Sequence, residues 1–421
     1  MQYSAFGHKF TQHSGITELM GDLNAGVLAG DELLMLGGGN PASIPEIEKC
    51  ITEIMQEKLD NGQLMHTLAN YDGPQGKNSF IDALVVLFND LYDWKLTSKN
   101  IMISNGSQNA FFYIFNLLAG HFKDGTKKKI LLPLAPEYIG YTDSCIYKDA
   151  FVTLKPKISE LENGFFKYHV DFDKLKITKE IGAICVSRPT NPTGNVLTDV
   201  EILRLDKIAR ANNIPLIIDN AYGAPFPNII FKSVLSFWNT NTILCFSLSK
   251  FGLPGTRCGI VIANASMINA MSNLSAVMAL SPGGIGPELV LPLVQNKQLV
   301  YLSERVIKPF YYKKSQQAII FLQKKIKTPM MRIHKVEGSL FLWIWFKDLS
   351  IHSKELYKRL KKKKLIIVSG HYFFPGLTQD WKHTKECIRL NYAQDRDVIE
   401  RGIDILAAEI NALYKTDKKQ G

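Results

Sequence analysis

Several absences narrow the field before any motif is considered. Among 421 residues there are only 6 cysteines, and no two form a Cys-x-x-Cys pair. Cys50, Cys145, Cys185, Cys245, Cys258 and Cys387 are scattered, and Cys185 and Cys245 lie inside apolar runs. They read as reduced, buried small hydrophobes rather than a disulfide framework or a zinc site. The 9 histidines are equally dispersed and show no ligand spacing, so no metal is expected. There is no internal repeat and no low-complexity linker. The longest apolar runs, such as 83–88, are far too short to span a bilayer. Residues 1–10 lack the apolar core of a signal peptide. The expectation is a cytoplasmic protein that meets no membrane.

Acidic residues are in the minority: 50 Lys and Arg against 39 Asp and Glu give a net charge of +11. The excess is mostly lysine in short runs, such as 127–129 and 361–364, and no nucleic-acid motif accompanies them. The second run ends a helical pattern, where cations suit the helix dipole and water. A solvated lysine-rich surface is expected, with no nucleic-acid partner. What remains is ordinary for a globular chain, at 46% hydrophobic and 21% charged residues. Its length allows two or three domains with a sizeable core.

Along the chain, residues 14–23 carry a cap and apolar residues at helical spacing, and Ile47, Ile51, Ile54, Met55 and Leu59 mark another helical face. Two glycine-rich turns, Gly37-Gly-Gly-Asn-Pro41 and Asn70-Tyr-Asp-Gly-Pro-Gln-Gly76, lie on either side of that face. From about residue 100 the pattern becomes strand, turn, helix, repeated. Strands are expected at 100–104, 129–134, 183–187, 215–218, 242–246 and 258–263, and an apolar helix at 110–118. This alternation argues an α/β fold with a largely parallel sheet. Every polar cluster named is expected to follow the C-terminal end of a strand, the edge where open α/β sheets bind ligands. After about residue 300 the pattern changes. A strand is expected over 336–345, a helix over 356–364, strands at 365–368 and 387–392, and a closing helix with Ile399, Ile403, Leu406, Ile410 and Leu413 on one face. That reads as a smaller α+β unit.

The chemistry gathers around Ser247-Leu-Ser-Lys250, with Arg257 seven positions on. Two hydroxyls and a guanidinium can hold a phosphate. A lysine at the mouth of a buried strand, beside that phosphate, stands where a Schiff-base lysine would. This points to pyridoxal 5'-phosphate bound covalently at Lys250; a strand followed by a basic turn is the plainer alternative. Asn105-Gly106-Ser107-Gln108 leads into a helix whose N-terminus offers free N–H groups to an anion.

Asn191-Pro-Thr-Gly194, Asp219-x-x-Tyr222, Ser247-x-Ser-Lys250 and Arg257 occur in this order, with Arg389 far downstream. The ordered set resembles the class I/II aminotransferases of PLP fold type I. Further stretches, among them Leu134-Ala-Pro-Glu-Tyr-Ile-Gly-Tyr141 and Gly370-His-Tyr-Phe-Phe-Pro-Gly376, resemble the bacterial branch of that family acting on valine and pyruvate. The resemblance covers essentially the whole chain. It implies a large domain with a mainly parallel sheet sandwiched by helices (46–300) and a smaller α+β C-terminal domain (301–421). Residues 1–45 would form an N-terminal segment packing with the small domain.

The resemblance also implies roles. Lys250 would anchor the cofactor and carry the proton at the substrate α-carbon. Asp219 would pair with the pyridine nitrogen, Asn191 and Tyr222 with the ring oxygen, and Tyr138 would cover the ring face. Ser107, Gln108, Ser247, Ser249 and Arg257 would cradle the phosphate. Tyr71 would reach the phosphate of a partner subunit, which implies a homodimer. Arg389, with Gly39 and Asn191, would grip the carboxylate of an amino acid or 2-oxo acid. Ser369 stands where many members have proline, and residues 281–287 replace a stretch that commonly contacts the partner, so no residue is carried over there. Valine and pyruvate would give 3-methyl-2-oxobutanoate and alanine. The alternatives are a preference for alanine or aromatic amino acids, PLP-dependent β-elimination, or a non-catalytic PLP-sensing protein.

Overall fold

The computed structural model describes residues 1–12, 14–29 and 33–417. Two sheets organise it. The first has eight strands. Its order runs Ile101–Asn105, Cys258–Ile262, Thr242–Ser247, Leu216–Asp219, Ile181–Ser187, Lys127–Leu132, Gly120–His121, with Phe151–Thr153 also paired to Lys127–Leu132. The strands 127–132, 151–153, 181–187, 216–219 and 242–247 are parallel to their neighbours among them.

The expected strand near 258–263 is present as Cys258–Ile262. It is antiparallel to both of its neighbours, so the sheet is mixed at that edge. The physical reason is the connection. Only the tight turn from Leu248 to Arg257 separates it from Thr242–Ser247, and a parallel return needs a longer crossover. The longer crossovers are there for the parallel pairs. Helix Asp199–Ala211 links Ile181–Ser187 to Leu216–Asp219 and opens on a capping box between Thr198 and Glu201.

Strand residues 216–219 and 242–247 are buried throughout, as expected for a sheet covered on both faces. Phe246 packs 5.3 Å from Phe88 and 5.6 Å from Phe226 on one face. Fully burying such a ring stabilises the fold by roughly 1.5–3 kcal/mol.

The second sheet has six strands, in the order Val368–Ser369, Cys387–Asn391, Phe341–Phe346, Met331–His334, Phe165–His169, Lys157–Glu160. Its last two strands lie in sequence within the span expected for the large domain. Phe165–His169 nonetheless pairs in parallel with Met331–His334, with Phe165 opposite Ile333 and Phe166 opposite His334. The expected strand 336–345 is observed as Phe341–Phe346. Residues before it serve other contacts: Glu337 accepts from the buried Lys167, and Ser339 takes a left-handed φ of 66°.

The N-terminal segment joins both parts. Leu34–Met35 pairs in parallel with Leu365–Ile366. Tyr357 OH donates to Asp22 Oδ2 at 2.6 Å, while Lys9 Nζ caps the carbonyls of Ile146 at 3.2 Å and Tyr147 at 3.4 Å. Residues 13, 30–32 and 418–421 of the expected N- and C-terminal units lie outside the described residues. Among the described residues, no helix is long and apolar enough to cross a membrane.

Candidate active site

The parallel register sets neighbouring strand ends side by side. Ser187 lies opposite Asp219, and Asp219 opposite Cys245. Each strand then turns, so the polar clusters that follow share one edge. Lys250 sits in the short turn Leu248–Phe251 after Thr242–Ser247. Its Nζ donates to Gly39 O at 2.6 Å and lies 5.6 Å from the Tyr222 ring centroid. Burial pushes the amine down to about 8, with the like charges of Arg389 and Arg257 adding to it and Asp219 opposing. A neutral lysine amine is the nucleophilic form, and this site makes it accessible near neutrality.

Asp219 is the matching acid. Tyr141 OH donates to its Oδ2 at 2.7 Å and Ala221 N to its Oδ1 at 3.0 Å. Burial raises its carboxyl to about 6, against the pull of those two hydrogen bonds and of Lys250. Above that pH it is an anion.

Arg389 comes from the second sheet. It is 1% exposed, in the strand Cys387–Asn391. Nη1 donates to Asn191 Oδ1 at 2.8 Å and Nη2 to Gly37 O at 2.7 Å. Phe341 lies 4.0 Å below the guanidinium and Phe373 5.1 Å away. Nε has no hydrogen-bond partner among the described residues. Two residues on, and so on the same strand face, Asn391 Nδ2 donates to Gly38 O at 2.7 Å. The three carbonyls of Gly37, Gly38 and Gly39 therefore serve Arg389, Asn391 and Lys250 in turn.

At the other end, helix Ser107–Leu118 starts on Gly106 with no side chain capping it. Its first N–H groups are open to an anion. Gly106 has φ 84°, and a Cβ there would collide with Arg257 Nη2. A Cβ on Gly259 would lie 2.7 Å from Ser107 N. Glycine at both positions lets backbone and guanidinium close on one small space. Ser247 Oγ donates to Ser249 Oγ at 3.0 Å and accepts from Ser249 N at 3.1 Å.

Gln108 follows Ser107 in the first turn of that helix. Its Nε2 donates to Gly140 O at 3.0 Å and Ser144 Oγ at 2.9 Å, so the side chain is committed to a turn. What Gln108 can offer a phosphate is its backbone N–H. Tyr138 lies in that turn's approach, its ring edge-on to Tyr141 at 5.4 Å, within electrostatic reach of Asp219, Arg257 and Arg389. Tyr222 is buried and its ring meets Phe341 edge-on at 6.1 Å. Tyr71 stands apart, 82% exposed to solvent.

These residues fit a phosphorylated pyridine that carries an aldehyde. An anion cradle, an anionic carboxylate and a depressed lysine amine meet at one sheet edge, with a buried arginine fork facing them. Sequence reasoning gave no role to Tyr141, Asn391, Phe341 or Phe373. Asn391 was within reach, two places after Arg389 on a strand; the Tyr141–Asp219 contact spans 78 positions and has no local signal.

The sequence pattern of aminotransferase class I and II matches residues 32–406. The chain belongs to that family. Within it, the chain is 52% identical to the valine–pyruvate aminotransferase of Escherichia coli K12 over 414 residues, covering 98% of this chain and 99% of that one. The crystal structure of a valine–pyruvate aminotransferase from Salmonella typhimurium LT2 superposes with a TM-score of 0.88 at 51% identity, over 95% of this chain and 100% of that one. An aspartate aminotransferase from Sulfolobus acidocaldarius is 24% identical over 92% of each chain.

Proposed function

We propose that this chain transfers the amino group of valine to pyruvate, yielding 3-methyl-2-oxobutanoate and alanine in two half-reactions, with pyridoxal 5'-phosphate held at Lys250. The convergence of Lys250, Asp219 and Arg389 at one sheet edge carries the reaction class. The similarity to the E. coli enzyme over 98% of the chain carries the substrate pair.

The cofactor supplies an electron sink for the bonds at the substrate α-carbon. The rest falls to the chain. Lys250 anchors the cofactor and moves the proton at the α-carbon, for which an amine titrating near 8 is suited. Asp219, ionised above about pH 6, holds a proton on the pyridine nitrogen. Asn191 and Tyr222 would hold the ring oxygen, and Tyr138 would cover the ring. Ser107, Gln108 through its N–H, Ser247, Ser249 and Arg257 hold the phosphate. Arg389 grips the substrate carboxylate as a planar fork, beside Asn191 and Gly39.

The chain works as a homodimer in this reading. Gly284 lies close to Thr67 and Asp72, so the segments that carry the exposed Leu68 and Tyr71 and the exposed Leu280 and Ile285 approach each other at the surface. A second copy covers this surface and receives Tyr71 at its phosphate. Residues 46–300 and 301–421 act as large and small domains, except that the hairpin 157–169 belongs with the small one by pairing. The six unpaired thiols suit a reducing compartment, and we place the protein in the cytoplasm.

The test mixes purified protein separately with valine, alanine and aromatic amino acids and follows conversion of the cofactor's absorption. Valine is expected to convert it fastest. Equal or faster conversion by an aromatic amino acid would move the assignment to that substrate, and no conversion by any amino acid would remove the enzyme reading.

A further inference from the structure

Glu137 is 0% exposed, and no step above uses it. Its Oε1 accepts a 3.0 Å hydrogen bond from Ser187 N, and its Oε2 pairs closely with the Ser187 hydroxyl. Its own N–H donates to Phe373 O at 2.8 Å. Ser187 is the register neighbour of Asp219, Tyr138 is the next residue along the chain, and Phe373 packs against Arg389. One buried residue thus ties together three pieces of the site, its carboxyl holding Ser187 and its backbone N–H holding Phe373.

Its surroundings are one-sided. The titratable groups that face Glu137 are Asp219, Tyr141 and Cys185. All three are acids, and no lysine, arginine or histidine of the described residues is among them. Asp219, by contrast, has Lys250 on its open side and donors on both oxygens. Two buried carboxylates that repel each other cannot both ionise cheaply, so one keeps its proton.

We infer that Glu137 is the protonated member of a buried carboxyl pair with Asp219, a positioning residue that fixes Ser187 while leaving Asp219 the anion of the site. The heavy-atom contacts suit this form. The Oε2 hydroxyl and Ser187 Oγ can share a hydrogen in either direction, while Oε1 still accepts from the Ser187 N–H. The electrostatics agree: burial raises Glu137 to about 8, chiefly against the Ser187 bonds, while Asp219 reaches only about 6. The inference rests on Asp219 as the site's anion and is independent of the substrate pair.

The test is infrared spectroscopy of the holoenzyme. At pH 7 the wild type should show the carbonyl band of a protonated, buried carboxylic acid. The band should vanish in Glu137→Gln, and in the wild type it should fade as the pH rises through about 8. Absence of the band at pH 7, its survival in Glu137→Gln, or its loss near pH 6 instead would overturn the assignment.

Stability gives an arm that needs no band. A carboxyl raised from 4.5 to about 8 on folding holds its proton in the folded state over that window while the unfolded chain releases it. The wild type should therefore lose stability relative to Glu137→Gln as the pH climbs from about 4.5 to about 8; a pH-independent difference would contradict the inference. Glu137→Ala, which cannot hold Ser187, should loosen cofactor retention, and Glu137→Gln should restore it. Failure with valine alone would leave all of these readouts intact, so the two readings fail separately.

Discussion

Arg389 Nη1 lies 2.8 Å from Asn191 Oδ1, although 198 positions separate them in the chain, with Arg389 in a strand of the second sheet and Asn191 in the turn after a strand of the first. The second arm of the fork is held by the Gly37 carbonyl at 2.7 Å. Both partners are uncharged, and no carboxylate of the described residues pairs with this guanidinium. Burial pushes Arg389 down to about 10. It therefore stands as a buried cation oriented by neutral acceptors, which is the state that gains most from an incoming carboxylate.

Arg389→Ala should weaken amino-acid binding by about 2–5 kcal/mol, the usual cost of truncating a buried charge-assisted pair. Cofactor retention should change far less. Titrating each variant with valine while following the cofactor's absorption separates the two quantities. Unchanged valine affinity would remove Arg389 from substrate binding. Arg389→Lys should recover only part of the loss, because an ammonium cannot reproduce the fork.

Lys250→Ala should abolish the absorption that reports the lysine-linked cofactor and should end multiple turnover. The variant should still fold, since Lys250 is partly exposed and its side chain's one hydrogen bond among the described residues is to the Gly39 carbonyl. Absorption spectra and a steady-state assay check both outcomes. Full turnover in this variant would defeat the mechanism.

Tyr141→Phe should shift the acid limb of the activity profile to higher pH. The Tyr141 hydroxyl stabilises the ionised form of Asp219, which titrates near 6 in its presence. Without that donor the carboxyl is harder to ionise and its midpoint rises. The kcat/KM profile from pH 5 to 8 is the measurement, at roughly unit intervals around the usual range for such groups. An acid limb that stays in place would separate Tyr141 from Asp219 function.

Glu288→Ala should destabilise the fold strongly. Glu288 is 5% exposed and pairs with Lys58 at 2.5 Å and Lys77 at 2.9 Å. Removing it leaves Lys58, itself 6% exposed, as a buried uncompensated cation. Breaking such a pair typically costs about 3–5 kcal/mol. Urea unfolding of variant and wild type gives the figure directly, and a change below about 1 kcal/mol would place the triad with ordinary surface pairs.

Tyr71→Phe should release cofactor more readily than the wild type if Tyr71 completes a neighbouring subunit's site. Mixing Tyr71→Phe chains with inactive Lys250→Ala chains should restore one sound site per mixed dimer, because the Lys250→Ala chain still supplies its tyrosine. Cofactor release measured before and after mixing decides this. No recovery on mixing would argue that Tyr71 acts within its own chain or not at all.

The sequence by itself determined the local pieces. Short apolar runs ending in polar turns fix strands whose C-terminal ends carry Ser107, Asn191, Asp219 and Lys250. Their order along the chain carries the family. That information is local because strand burial and turn chemistry depend on neighbours a few residues away. Only the tertiary structure decided which pieces face one another. The direction of Cys258–Ile262, the transfer of Phe165–His169 into the second sheet, and the meeting of Tyr141 with Asp219 all depend on contacts across long stretches of chain. A tyrosine or a glutamate in such a place looks the same in sequence as one that merely packs. Glu137 becomes distinctive only when folding strips it of water and surrounds it with acids, since burial and unpaired charge are properties of the packed interior rather than of the residue.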